Sequence, residues 1–184
     1  MKRAPAALVL AVATASPAAW AVERENAIGV DPTASMLKVS DKSSPDVGGG
    51  VGVHYTYGIT DAFNLVADGG WSLVALDEKL WDPTTPHTRP TNVSNVDVGL
   101  AYVLDVLRWV PYGAAEIGGY ALQGGTIDGL KILPGAALAV GLDYRFNRSW
   151  SAGVELREHF LFTEMSTYPT FTQALLRFEY VWGW

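Results

Sequence analysis

The chain has 184 residues, with 13 basic against 19 acidic side chains, a net charge of −6 and no cysteine. An acidic chain without a basic run excludes a nucleic-acid partner, and the lack of thiols excludes a disulfide framework and thiolate metal chemistry. Hydrophobic residues make up 49% of it and seven are tryptophan, yet beyond the N-terminus no apolar run reaches the roughly 18 residues of a membrane-spanning helix.

The chain opens on Lys2 and Arg3, an apolar stretch from Ala6 to Ala15, and Ala19-Trp20-Ala21. A basic start, a short greasy centre and an A-x-A site are the parts of a secretory signal peptide, so residues 1–21 are expected to be cleaved before Val22. Lys2 and Arg3 are the only charges lost with them. Residues 22–184 then form one domain with 11 basic and 19 acidic side chains, a net of −8. If so apolar an exported chain enters a membrane, it does so as a barrel, because only helices and closed barrels satisfy their backbone hydrogen bonds in lipid.

Eight alternating segments follow, predicted over residues 26–38, 48–58, 62–75, 92–104, 109–122, 133–146, 150–162 and 171–184. Asp31-Pro32 interrupts the first, and because proline removes a ladder donor a bulge or a shortened strand is expected there. The glycine runs Gly48-Gly49-Gly50 and Gly69-Gly70 read as easing strand curvature and packing. A period of two confines charge to one face of each strand. Val51, Val53, Tyr55 and Tyr57 of the second strand oppose His54 and Thr56. Phe63, Leu65, Ala67, Trp71 and Leu73 of the third oppose Asn64, Asp68 and Ser72. In the fourth, Val96, Val98, Leu100 and Tyr102 stand against Asn95 and Asp97; in the fifth, Trp109, Ala115 and Ile117 against Tyr112 and Glu116. The sixth sets Leu138, Val140, Leu142, Tyr144 and Phe146 against Asp143 and Arg145, and the seventh sets Trp150, Ala152, Val154, Leu156 and Phe160 against Glu155, Arg157 and His159. Glu158 breaks the rule, near the expected outer rim. In the last strand Ala174, Leu176, Phe178, Tyr180, Trp182 and Trp184 alternate with Gln173, Arg177 and Glu179.

Connections alternate between short (Gly58 to Asp61, Asp105 to Arg108, Asn147 to Ser149) and long (39–47, 76–91, 123–132, 163–170). That sorting belongs to an up-and-down barrel with brief periplasmic turns and longer outer loops. Aromatics decide which face meets lipid. Tyr57, Phe63, Tyr102, Trp109, Tyr144, Phe146, Trp150, Tyr180, Trp182 and Trp184 flank the short turns or the C-terminus on the apolar face, as a periplasmic girdle would. Trp71 and Phe160 lie about the height of the apolar band above them and belong to an outer girdle. The fold class is therefore all-β, an eight-stranded antiparallel up-and-down transmembrane β-barrel.

Charges on the other face point into a lumen barely wide enough for its own side chains. His54, Asp68, Asp97, Glu116, Asp143, Arg145, Glu155, Arg157, His159, Arg177 and Glu179 are expected to pair there as a polar plug rather than line an ion pathway. The long loops carry Asp41, Asp46, Asp77, Glu78, Asp82, Asp128 and Glu164 against Lys42, Lys79, Arg89 and Lys131. In the largest, Trp81 stands among Pro83, Pro86 and Pro90, where it either folds back to the outer girdle or touches lipopolysaccharide sugars or a partner. No cofactor fingerprint, metal cluster or catalytic constellation is read.

The signal peptide, the asymmetric connections and the ending Phe178-x-Tyr180-x-Trp182-x-Trp184 resemble the small eight-stranded outer-membrane barrels, the family of the OmpA transmembrane domain, OmpX and OmpW. The resemblance covers the mature chain. It implies location in the outer membrane, outer-membrane lipid and lipopolysaccharide as surroundings, recognition of Phe178, Tyr180, Trp182 and Trp184 by the barrel assembly machinery, and a monomer without a cofactor. No peptidoglycan-binding domain follows, so tethering to the wall is not expected. The function implied is non-enzymatic: envelope structure or surface contacts through the loops. The alternatives are a narrow conduit for small, even apolar, solutes and a lipid-A-modifying enzyme. Lipid A deacylases keep a histidine and a serine two residues apart, and neither His54, His87 nor His159 stands in that arrangement.

Overall fold

The protein, seen here in a computed structural model, is described over residues 24–40, 44–74, 88–104 and 108–183. Residues 1–21, read above as a signal peptide, the loop charges Asp41, Lys42, Asp77, Glu78, Lys79 and Asp82, Trp81, His87, the turn residues 105–107 and Trp184 lie outside the described residues. Eight strands follow one another: β1 (Asn26–Lys38), β2 (Asp46–Gly58), β3 (Phe63–Val74), β4 (Asn92–Val103), β5 (Trp109–Gln123), β6 (Lys131–Arg145), β7 (Trp150–Leu161) and β8 (Thr170–Trp182). Each pairs antiparallel with its neighbour in sequence, and β1 pairs with β8 to close the barrel. Closure removes the sheet edges and leaves no row of unpaired backbone groups facing lipid.

Two boundaries move outward from their predicted places. β2 starts at Asp46 and β6 at Lys131, each two residues earlier than alternation marks it. The first strand departs further from expectation, since Pro32 causes neither a bulge nor a shortening. β1 keeps one unbroken register with β2 from Asn26↔Tyr57 to Leu37↔Asp46. Against β8 the register is the same on either side of the proline, and pairing lapses only between Val30↔Phe178 and Thr33↔Leu175. The missing donor is thus felt on one side alone. The Thr33 hydroxyl donates to the Asp31 carbonyl at 2.9 Å, supplying a side-chain hydrogen bond within the interrupted stretch.

The barrel is polar within and apolar without. Val96, Ile117 and Ile132 are 64–71% exposed on the outer surface, whereas Glu116, Arg157 and His159 are 0–3% exposed inside. Around the short-turn rim the outward rings touch one another: Phe63–Tyr102 at 5.3 Å, Trp109–Tyr144 at 4.8 Å, Tyr144–Phe146 at 5.4 Å, Trp150–Tyr180 at 5.2 Å and Tyr180–Trp182 at 5.9 Å between centroids. Tyr57 lies exposed at the same rim, and Trp71 is exposed on β3 toward the other end.

Glycine makes so narrow a bore possible. His54 faces Gly29 across the β1–β2 ladder, Asn95 faces Gly70, Asp97 faces Gly118, Glu116 faces Gly99, Tyr112 faces Gly141 and Asp143 faces Gly153. A Cβ built at any of these glycines runs into the side chain opposite; at Gly99 it lies 2.7 Å from Glu116 Cγ. Inward glycines are therefore berths for polar side chains folded flat against the neighbouring strand. For Gly70 this gives the packing role a specific form, a berth for Asn95.

Candidate functional site: the barrel lumen

From the short-turn end to the loop end, the lumen has three storeys. The lowest contains Val66, Ala101, Val103, Val110, Ala114 and Ala139, packed on the β3–β6 wall. Beside them is a cavity of about 50 Å³ whose lining includes Glu25, Asn64, Glu116, Asp143, Arg145 and Arg177. Arg145, one of the predicted lumenal charges, stays at this rim and pairs with Glu25, a residue the alternation argument did not consider.

The middle storey is a continuous ionic network. His54 bridges Asp31 (Nδ1, 2.7 Å) and Glu179 (Nε2, 2.9 Å). Glu179 also accepts from Ser151 and from Arg177 Nη2, both at 2.5 Å. Arg177 Nη1 donates to Glu155 at 2.7 Å, and the guanidinium lies 4.9 Å from the Tyr112 ring centre. Arg157 continues the chain, donating from Nε to Glu155 at 2.8 Å and from Nη1 to Asp68, with Glu116 3.6 Å away. Asn95 donates to Asp97 at 2.7 Å. Asp143 is the outlier, its nearest cation being Arg177 Nε at 3.9 Å.

Several of these bonds cross the axis. Arg157 on β7 and Asp68 on β3 come from opposite walls of the barrel, as three strands lie between them either way round. Arg177 on β8 reaches Tyr112 on β5. One level higher, Gln173 on β8 donates to Ser72 on β3 at 3.2 Å and His159 links Tyr120 to Gln173, both at 2.9 Å. Direct bonds between facing walls fill the bore with protein atoms.

The upper storey, beneath the long loops, is apolar. Leu37, Val39, Val74, Val93, Leu122, Leu133, Leu161, Tyr168 and Phe171 are buried together there, and Phe171 stacks on His159 at 4.8 Å. The expected polar plug is thus only the middle of the filling. A strap over the mouth was not anticipated either. Asp46 and Arg89, assigned above to the long loops, are 3% and 5% exposed and form a two-pronged ion pair, with Nε to Oδ2 at 2.9 Å. The Thr126 N–H donates to the Arg89 carbonyl at 2.9 Å, its hydroxyl accepts from the Arg89 N–H at 3.0 Å, and Tyr168 donates to the Thr88 carbonyl at 2.7 Å. Outside the bore, Lys131 pairs with Glu164 at 2.5 Å, which holds the Glu164 carboxyl below its usual range.

Chemically, the arrangement binds its own groups to one another. Both nitrogens of His54 are engaged by carboxylates, and both of His159 by Tyr120 and Gln173, so neither ring is in place to activate a hydroxyl. Glu158 faces outward, as its broken alternation implies, and accepts from Thr172 at 2.5 Å.

Residues 5–180 match the family described as outer membrane protein β-barrel domain. Among solved structures, the chain is similar to the attachment invasion locus protein Ail of Yersinia pestis, with 14% identity, a TM-score of 0.58, and 87% of this chain and 99% of that one covered. It is also similar to Neisserial surface protein A (11%, TM-score 0.62, 86% and 97% covered) and to OprG from Pseudomonas aeruginosa (11%, TM-score 0.55, 88% and 98% covered). At these identities the likeness is one of fold. No curated protein matches the sequence.

Proposed function

This chain belongs to the outer membrane protein β-barrel domain family, and from that premise we propose that it is a closed, non-enzymatic barrel of the outer membrane, acting through envelope structure and through the surface its loops present. The observation that carries the reading is the set of bonds across the bore, Arg157 to Asp68 above all, with the packed apolar storey and the Asp46–Arg89 strap above them. A conduit for small apolar solutes needs that storey open, and here Leu37, Leu122, Leu133 and Phe171 fill it.

The belt of outward rings supports insertion as a monomer among lipid and lipopolysaccharide, and the Phe178-x-Tyr180-x-Trp182 strand is the segment offered to the assembly machinery. One neighbour, Ail, is known in complex with the heparin analogue sucrose octasulfate. The loops of this chain are predominantly acidic, so a polyanion of that kind is a poor fit and a neutral or cationic partner a better one. Planar-bilayer recording with purified protein tests the closed lumen. The expected record shows no sustained open state, and a stable conductance in the wild type refutes it. Mass spectrometry of lipid A from cells with and without the gene tests the non-enzymatic half: unchanged lipid A is expected.

A further inference from the structure

The middle storey holds more negative than positive charge, and the imbalance is local. Asp68 on β3, Asp97 on β4 and Glu116 on β5 each bring a carboxylate oxygen within 4.8 Å of the other two. Asp68 Oδ2, Asp97 Oδ1 and both oxygens of Glu116 are buried without a hydrogen-bond donor. A buried acceptor that nothing answers is destabilising, because it has given up its hydrogen bonds to water. Arg157 is the guanidinium at hand, and its hydrogens go to Asp68 and Glu155, leaving Glu116 at 3.6 Å.

A second observation, separate from the clustering of acids, gives the site an entrance. Glu116 is 3% exposed, neither of its oxygens is hydrogen-bonded, and its side chain lines the cavity at the periplasmic end. Asn64 Oδ1 and Asp143 Oδ1 belong to lining residues of the same cavity and are also buried without donors. Arg145 and Arg177 line the cavity too, but they are paired with Glu25 and with Glu155 and Glu179. The one donor left over among the described lining residues, Arg177 Nε, is outnumbered by the acceptors left over on Glu116, Asn64 and Asp143. A positive species answers that imbalance, and an anion or an apolar solute does not. Gly99 and Gly118 supply the space, since a Cβ at either would collide with Glu116 or Asp97. The apolar storey seals the other direction.

We infer that the lumen holds one hard divalent cation on Asp68, Asp97 and Glu116, exchanged with the periplasm through the cavity below. Oxygens 4.8 Å apart or less can be bridged by an ion with bonds of about 2.3–2.6 Å, the Ca²⁺ range. Three carboxylates offset by one guanidinium leave a charge that a divalent ion neutralises and a monovalent one does not. Ca²⁺ is favoured over Mg²⁺, which demands near-ideal octahedral geometry and gives up water reluctantly.

The test uses full-length mature protein refolded in detergent, free of lipopolysaccharide, which binds divalent ions itself. Equilibrium dialysis with radioactive Ca²⁺ should return one ion per chain, and Ca²⁺ should raise the thermal midpoint above that in NaCl of equal ionic strength. Glu116→Gln and Asp97→Asn should each weaken binding at least about tenfold, the loss expected when one charged ligand goes, and abolish the thermal shift. Glu158→Gln, on the outer wall, should keep both. Wild-type protein that binds neither Ca²⁺ nor Mg²⁺ overturns the inference. So does binding that survives in Glu116→Gln and Asp97→Asn, which places the ion on loop acids. A cation-indifferent wild type that both variants stabilise assigns the cluster to shared protons instead. If one variant fails to refold, the other and the wild-type stoichiometry still decide.

Discussion

Replacing Arg157 with methionine removes a side chain that ties β7 to the opposite wall at β3. The guanidinium is 4% exposed and serves Glu155 through Nε and Nη2, at 2.8 and 2.7 Å, and Asp68 through Nη1. Its loss strands these carboxylates, with Glu116 beside them, in a site from which water is largely excluded. Breaking a buried pair from one side costs about 3–5 kcal/mol. With a urea dependence of about 2 kcal/mol per molar, the unfolding midpoint in lipid vesicles, followed by tryptophan fluorescence, should fall by about 2 M. Arg145→Met is the control. That guanidinium is 25% exposed at the rim against Glu25, where a pair contributes about 1 kcal/mol or less. Asp68→Asn in the Arg157→Met background should cost less than the sum of the single changes, with a coupling of about 0.5–3 kcal/mol. A loss below about 1 kcal/mol for Arg157→Met, or one no larger than for Arg145→Met, would refute the cross-bore network as a structural element.

Two further outcomes follow from the same geometry. Gly118→Val should prevent refolding or cost several times the roughly 1–3 kcal/mol of ordinary overpacking, because its Cβ falls on Asp97, whereas Gly119→Val one residue on, with nothing within 4 Å on the outer wall, should refold normally; equal yields from the two would dismiss the berth argument. The Lys131–Glu164 pair depresses the carboxyl's folded-state pKa from 4.5, so its contribution is complete above that value and lost as pH falls through the lower, folded one. Hydrogen exchange over residues 163–168 should therefore differ between wild type and Glu164→Gln at neutral pH and converge in acid, and a difference that persists there would contradict the pair.

Much of the barrel was legible because its signals are local. A lipid-facing strand must alternate, so the parity of Leu138, Val140 and Leu142 against Asp143 assigns faces without knowledge of any partner. Turn length sorts the two rims in the same way. Pro32 was misjudged for the converse reason. Whether a lost donor forces a bulge depends on which neighbour loses it, and that is decided by pairing: the ladder to β2 runs unbroken through Pro32, and the lapse falls on the β8 side alone. The apolar storey did leave a trace, since Val74, Val93, Leu122, Leu133 and Phe171 have inward parity at the loop ends of their strands. Alternation read for charge alone passes over it.

Sequence by itself determined the number of strands, their faces, the rim where aromatics gather and the polar character of the bore, all of which depend on residues two to ten positions apart. Tertiary structure alone decided who meets whom across that bore. Arg157 and Asp68 are separated by 89 residues, and their meeting is set by closure of β1 on β8 and the stagger of the strands, quantities that no single strand encodes. The same closure turned glycines into berths, brought Arg89 down onto Asp46, and gathered Asp68, Asp97 and Glu116 from three strands into one place.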